Sequence, residues 1–348
     1  MSLRPLSIAL RAVVILVASG ALLILAASTA LADNGPHVMG TSGGTGASAI
    51  STADGCAGCH RAHTAQGSSL LVAGNDVNLC FSCHGSGAQG ATTNVVDGII
   101  ANSTNGIMGG GFTNARMDSS WNAVSPSRSV TSAHVYNGGT GTLWGAGAIN
   151  SGPGQTGFTL SCVSCHNPHG NGQYRILRPI PMNAPATTDV TVPDPTVKVY
   201  TLATSFNRYF GQIYSADVEV TLDQWCSSCH SRYDAPGPNS ANTSSGDAIF
   251  KYRHGTRRVA SDATSCDSCH PGSPGNWGPT NNALGITSGT AHVPVCQNCH
   301  VAHGSPAIMG TQSGAVPYPD GTTAATDNAR SSLLRVDNRG VCRGCHGR

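Results

Sequence analysis

Residues 56–63 read CAGCHRAH. Two cysteines stand three apart, His60 follows the second at once, and His63 comes three places later. The arrangement recurs as CVSCHNPH at 162–169 and CQNCHVAH at 296–303. Any fold proposed for this chain has to give a role to that second histidine three times over.

The chain holds fourteen cysteines, and all fall into C-x-x-C pairs. The pairs are Cys56 with Cys59, Cys80 with Cys83, Cys162 with Cys165, Cys226 with Cys229, Cys266 with Cys269, Cys296 with Cys299, and Cys342 with Cys345. Each is followed directly by a histidine: His60, His84, His166, His230, His270, His300 and His346. Redox disulfides would suit an exported chain, but they do not require the histidines. Structural zinc takes Cys₄ or Cys₂His₂ sets, without placing histidine invariably after the second cysteine. C-x-x-C-H is the attachment signature of c-type haem. The two thiols add to the vinyl groups on one porphyrin edge, and the next residue supplies the proximal imidazole.

The chain has fourteen histidines, so seven lie outside the signatures: His37, His63, His134, His169, His254, His292 and His303. Seven bis-histidine irons need seven distal ligands, and the numbers match. His63 lies one helical turn from His60 and projects from the same side of the local backbone. It cannot reach around one porphyrin to the far face of the same iron, so it points at a different haem. Each C-x-x-C-H-x-x-H unit thereby holds one haem and caps a neighbour.

The rest of the sequence agrees with a core built on cofactors. Glycine numbers 44 of 348 residues, aromatics are 5% and charged residues 10%. Such a chain offsets its conformational entropy poorly with side chains alone. Arg4 and Arg11, an apolar run from Ala12 to Ala27 and Ala30-Leu31-Ala32 form a secretory leader over 1–32. The alternative is an uncleaved membrane anchor, since the run nearly reaches spanning length. Lys and Arg number 19 against 17 Asp and Glu, so loss of Arg4 and Arg11 leaves the chain neutral and gives nucleic acid no basic patch to bind. Almost all the remaining cations are arginine, and Arg335 and its neighbours near the last site suit haem propionates.

The signatures form an internal repeat in which a C-x-x-C-H-x-x-H unit is followed by a hydrophobic pair and a bare C-x-x-C-H. LLVAGNDVNLCFSCHG (70–85) resembles LLRVDNRGVCRGCHG (333–347), with YRILRPIP (174–181) in the middle copy. The doublets span 56–84, 162–230 and 296–346, with a single site at 266–270. Residues 85–133 read as Gly/Asn/Ser/Thr-rich surface loop. DVTVPDPTVKVYTL and ADVEVTL alternate, which predicts a small β insert within 188–222. Short helices are expected to follow several haem motifs. The expected fold for 33–348 is therefore mostly irregular coil with short α-helices and a small β-sheet. It wraps a closely packed array of seven covalently bound c-type haems (haem c, Fe).

These doublets resemble the doubled C-x-x-C-H multihaem c-type cytochromes of anaerobic, metal- and sulfur-respiring prokaryotes. The resemblance implies electron transfer along low-potential bis-histidine haems rather than catalysis. It implies redox-partner cytochromes or extracellular acceptors as partners, and no small-molecule substrate. Some relatives are monomeric periplasmic carriers, and others polymerise into extracellular filaments in which one subunit's histidine ligates the next subunit's haem. Low charge, coil-rich composition and all-histidine ligation are similar to the filament formers. His37, only five residues past the leader, could ligate a haem in trans or fold back onto its own chain. A reductase with one open haem is the enzymatic alternative; the lysine-containing signature of nitrite reductases does not occur.

Overall fold

The computed structural model describes His37, 55–87, 91, 93–100, 103–116, 118–120, 123–124, 127–146, 154–194, 216–233, 296–308 and 333–337. The leader, His254, His292 and residues 195–215 of the expected insert lie outside these residues. So do two of the seven expected attachment sites, that of Cys266, Cys269 and His270 and that of Cys342, Cys345 and His346.

The C-x-x-C-H pentapeptide folds as one helical turn. The histidine N–H closes on the carbonyl of the first cysteine for His60 (2.7 Å), His166 (3.0 Å), His230 (3.0 Å) and His300 (2.9 Å). An i to i+4 closure puts the two thiols, three apart, on one face and the histidine beside them. The helices are α1 (Asp76–His84), α2 (Cys162–Cys165), α3 (Ala216–Ser227) and α4 (Cys296–Cys299), while Gly55–Gly58 forms a 3₁₀ turn. Helices thus carry the motifs rather than follow them. Asn75 caps α1 by accepting from the Asn78 N–H at 2.8 Å. Ser161 and Ser164 form a reciprocal capping box on α2. Both α2 and α4 stop before the histidine.

After each C-x-x-C-H-x-x-H unit the chain returns and pairs with it. His60 bridges Leu71, His166 bridges Leu177 and His300 bridges Leu334, all antiparallel. Flanking bonds repeat as well: Val72 N–H to Cys59 O (3.0 Å), Arg178 N–H to Cys165 O (2.8 Å) and Arg335 N–H to Cys299 O (3.0 Å). The doublet is therefore a structural repeat whose return loop varies in length.

Strands occur where loop was expected. They are β1 (Thr93–Asn94), β2 (Ile99–Ile100), β3 (Asn114–Ala115), β4 (Asp118–Ser120), β5 (Ala123–Val124), β6 (Arg128–Ser129), β7 (Ser132–Ala133), β8 (Asn137–Trp144), β9 (Gly154–Ser161) and β10 (Gly304–Ser305). They form two-stranded antiparallel pairs β1–β2, β3–β6, β4–β5, β7–β10 and β8–β9. Two-residue ladders need only backbone groups, so small polar residues conceal them from a hydrophobic-pattern reading.

The expected β insert is corrected where it is described. Residues 188–194 are coil with one bridge from Pro193 to Gln173, and 216–227 are helical, not a strand. The Val/Leu alternation of 216–222 is too short to exclude a 3.6-residue period. The C-x-x-C turn at its end is itself helical, so α3 runs into the motif as one element. Leu222 and Trp225, three apart, pack with Tyr174, Leu177 and Val192. A second small core joins Ala115 and Val301 with Val130 and Leu333. Arg128 grips Asp337 through two bonds of 2.8 and 3.1 Å, tying β6 to the last doublet.

Candidate haem sites

Three signature histidines face a non-signature histidine. Ring centres of His60 and His169 are 6.0 Å apart at an interplanar angle of 21°. His84 and His37 are 6.2 Å apart at 64°, and His230 and His134 are 6.2 Å apart at 43°. A metal–imidazole bond is about 2 Å and the nitrogen lies about 1.1 Å from its ring centre. Two imidazoles on opposite faces of one iron therefore have centres about 6.2 Å apart. The three spacings leave room for one iron between each pair; ring contacts in this chain run from 4.2 Å for Phe112 and Tyr136 to 6.4 Å for His230 and Tyr233. His166 lies near enough to His303 for its charge, after burial, to be the next influence lowering His303, to about 3.

The main chain sets the tautomer of these rings. Nδ1 lies on a backbone carbonyl in His60 (Ser69 O, 2.8 Å), His166 (Arg175 O, 2.9 Å), His230 (Trp144 O, 2.6 Å), His134 (Ala302 O, 2.6 Å) and His37 (Pro168 O, 3.0 Å). His84 meets the Thr93 carbonyl at 3.3 Å and its hydroxyl at 3.1 Å, and His303 meets Gly110 O at 3.4 Å. A carbonyl only accepts, so Nδ1 carries the proton and Nε2 presents its lone pair. Burial keeps several of these rings neutral. It lowers His84, His134 and His166, and takes His230 to about 4 with help from the nearby His134 charge. Neutral Nε2 is the form that binds a metal.

No disulfide joins the ten described cysteines. They are Cys56, Cys59, Cys80, Cys83, Cys162, Cys165, Cys226, Cys229, Cys296 and Cys299. The other four of the expected fourteen, Cys266, Cys269, Cys342 and Cys345, lie outside the described residues and have no geometry to set beside these. Burial pushes Cys165 and Cys229 up to about 12. Thiols held protonated in this way are poor thiolate ligands for a metal site.

Successive motifs abut. Cys59 is raised by burial and then by Cys83 and Cys80; the Cys80 thiol pairs with Cys162; Cys165 lies near Cys229 and Cys226; Cys226 pairs with Cys296. The five described motifs thus form a row in sequence order. Two aspartates, one on each helix carrying a bare motif, hold the junctions. Asp76 Oδ2 accepts from the Val163 N–H at 3.5 Å, and Asp223 Oδ1 from the Cys296 N–H at 2.6 Å. Acid at the N-terminus of the following turn also complements its dipole.

The histidine three places after a signature meets the first signature of the preceding doublet: His169 faces His60, and His303 influences His166. His63 is exposed at the start of the row. His134 and His303 are joined by the β7–β10 ladder, with the His134 N–H on His303 O at 2.9 Å. Phe112 packs on the His303 ring at 4.9 Å. His37 sits against His84 of its own chain. Arg335 is buried and donates to Gln297 O at 3.0 Å. The carbonyl acceptors escaped the sequence reading because main-chain groups carry no residue code. Asp76 and Asp223, four and three residues before a cysteine, were legible in principle as acid near a motif.

With this geometry in view, residues 49–89 match the family description "Doubled CXXCH motif". That match, covering the first doublet, supports a multihaem c-type cytochrome, and the C-x-x-C-H motifs mark covalent attachment of c-type haem. No curated protein and no solved structure matches the chain.

Proposed function

We propose that this chain is an exported electron conduit carrying seven haems, each iron held by two imidazoles. The observation that carries the reading is the 6.0–6.2 Å spacing of three signature-to-distal histidine pairs. The pairs are His60 with His169, His84 with His37, His230 with His134, and His166 with His303. His63, His254 and His292 remain for the His270, His300 and His346 sites. Bound haem supplies a one-electron couple. The chain's own residues fix the imidazole planes, keep Nε2 unprotonated and hold the motifs in a row. Two protein ligands per iron leave no position for substrate, so the reading is outer-sphere transfer rather than catalysis. Electron paramagnetic resonance of the oxidised holoprotein tests it. Only low-spin signals are expected; a high-spin signal of one haem in seven favours the reductase reading with one open haem.

The same reading extends to self-assembly outside the cell, in preference to a monomeric periplasmic carrier. The supporting observation is the register: the second histidine of a C-x-x-C-H-x-x-H unit lies toward the preceding doublet's first signature, His169 at His60 and His303 near His166. His63 is exposed and Cys56 is the exposed cysteine among those described. His63, rather than His37, is then the ligand for the last doublet of a second copy. Electron microscopy of the secreted fraction decides it. Filaments should form with wild type and fail with His63→Ala; wild-type monomers would favour the periplasmic carrier.

A further inference from the structure

Six described non-glycine residues adopt left-handed φ, and five fall at equivalent places in the doublets. They are Ser69 (57°) and Leu70 (58°), Arg175 (49°) and Ile176 (54°), and Leu333 (61°); the sixth is Asn183. Each lies one or two residues before the leucine that bridges a signature histidine: Leu71, Leu177 or Leu334. A non-glycine residue held there is strained, and a β-branched residue such as Ile176 is a marked outlier. Strain repeated at the same place in the repeat calls for a function.

The function is in the carbonyls. In the first two doublets the first residue of the left-handed pair turns its C=O onto the Nδ1–H of the doublet's first signature histidine: Ser69 onto His60 at 2.8 Å, Arg175 onto His166 at 2.9 Å. The acceptor lies nine residues beyond the histidine each time. The turn is pinned by Leu71 N–H to Ser68 O (3.3 Å) and Leu177 N–H to Tyr174 O (3.0 Å). The second histidines of the doublets do without it: His84 uses Thr93 and His230 uses Trp144, both on strands.

We infer that the left-handed pair is a positioning clasp, which aims a carbonyl at the first signature histidine of each doublet and strengthens that imidazole as an iron donor. The inference rests on the haem reading above. A hydrogen bond at Nδ1 fixes the ring's plane and raises its basicity. A more basic ligand favours ferric iron, so the clasp holds the first haem of the doublet at a lower potential than the same ligand unclasped. Ser69, Leu70, Arg175, Ile176 and Leu333 are positioning residues and do not touch the metal. Leu333, one residue before the Leu334 that bridges His300, holds the position of Leu70 and Ile176.

The test compares Ser69→Gly with Ser69→Pro in the haem-loaded protein. Glycine adopts positive φ freely, whereas proline is locked near −65°. Spectroelectrochemical titration of Ser69→Gly should superimpose on wild type. Ser69→Pro should move one-seventh of the amplitude to higher potential and alter one low-spin resonance. A Ser69→Pro protein with unchanged titration and resonance, merely melting lower, overturns the clasp. Should that variant not mature, wild type answers by hydrogen exchange. Hyperfine-shifted Nδ1 protons of the clasped histidines should exchange slowly, and exchange at the free-imidazole rate overturns the idea. A pyridine haemochrome spectrum without thioether-linked haem would overturn the haem reading itself and the clasp with it.

Discussion

Replacing His169 with alanine isolates one ligand from the fold around it. The side chain is exposed, and the polar bond at this position uses the backbone N–H, to Asn167 Oδ1 at 3.2 Å. Truncating an exposed side chain away from structural features changes stability by about 0.5 kcal/mol or less. On the proposed reading, the 6.0 Å spacing to His60 puts His169 in the place of sixth ligand to the first haem. The fold of the haem-loaded protein should therefore persist while one iron of the seven loses an axial imidazole. The oxidised variant should show a new high-spin signal integrating to one-seventh of the haem, and the reduced variant should bind one equivalent of carbon monoxide. The near-parallel planes of this pair, at 21°, also assign the lost signal. Parallel imidazoles split the iron dπ orbitals most, so the low-spin component that vanishes should be the most rhombic one. A fully low-spin variant that excludes carbon monoxide would refute the ring-spacing argument, and the other pairings would fall with it.

Asp223→Ala removes a carboxylate that accepts from the Cys296 N–H at 2.6 Å, and should cost about 1.5–3 kcal/mol in thermal or denaturant unfolding. Gly145 has φ +74°, and a Cβ there would overlap the Tyr233 ring. Gly145→Ala should therefore destabilise by about 1–3 kcal/mol and disturb the neighbouring Trp144 carbonyl, read as a shift in the His230 haem resonance. Asp97 is raised by burial, but hydrogen bonds from Ser86, Asn114 and Asn94 outweigh this and hold it below its ordinary value. A depressed folded pKa gives stability that is full above the unfolded carboxylate range and lost as pH falls through the folded value. Acid melts of Asp97→Asn should accordingly lose part of the wild-type decline below about pH 4.

The insert shows where pattern reading fails. Residues 216–222 alternate as a strand would, yet they are helical, because the helical C-x-x-C turn at Cys226 propagates backward and brings Leu222 and Trp225 onto Tyr174 and Val192. The segment 85–133, expected as loop, failed in the other direction. Its described strands are two or three residues long, and short backbone pairing leaves no period in the side chains.

The residues alone determined the attachment chemistry and the repeat, because covalent bonds and ligand donors demand particular side chains at fixed spacing. Cysteine at i and i+3 with histidine at i+4 is legible wherever it falls, at Cys266, Cys269 and His270 or Cys342, Cys345 and His346 as much as in the five described motifs. Which imidazole faces which could not be read, since His37 and His84, or His134 and His230, are brought together by carbonyls on Pro168, Thr93, Ala302 and Trp144. Those contacts use main-chain oxygen, which every residue possesses, so only the path of the folded chain selects among them.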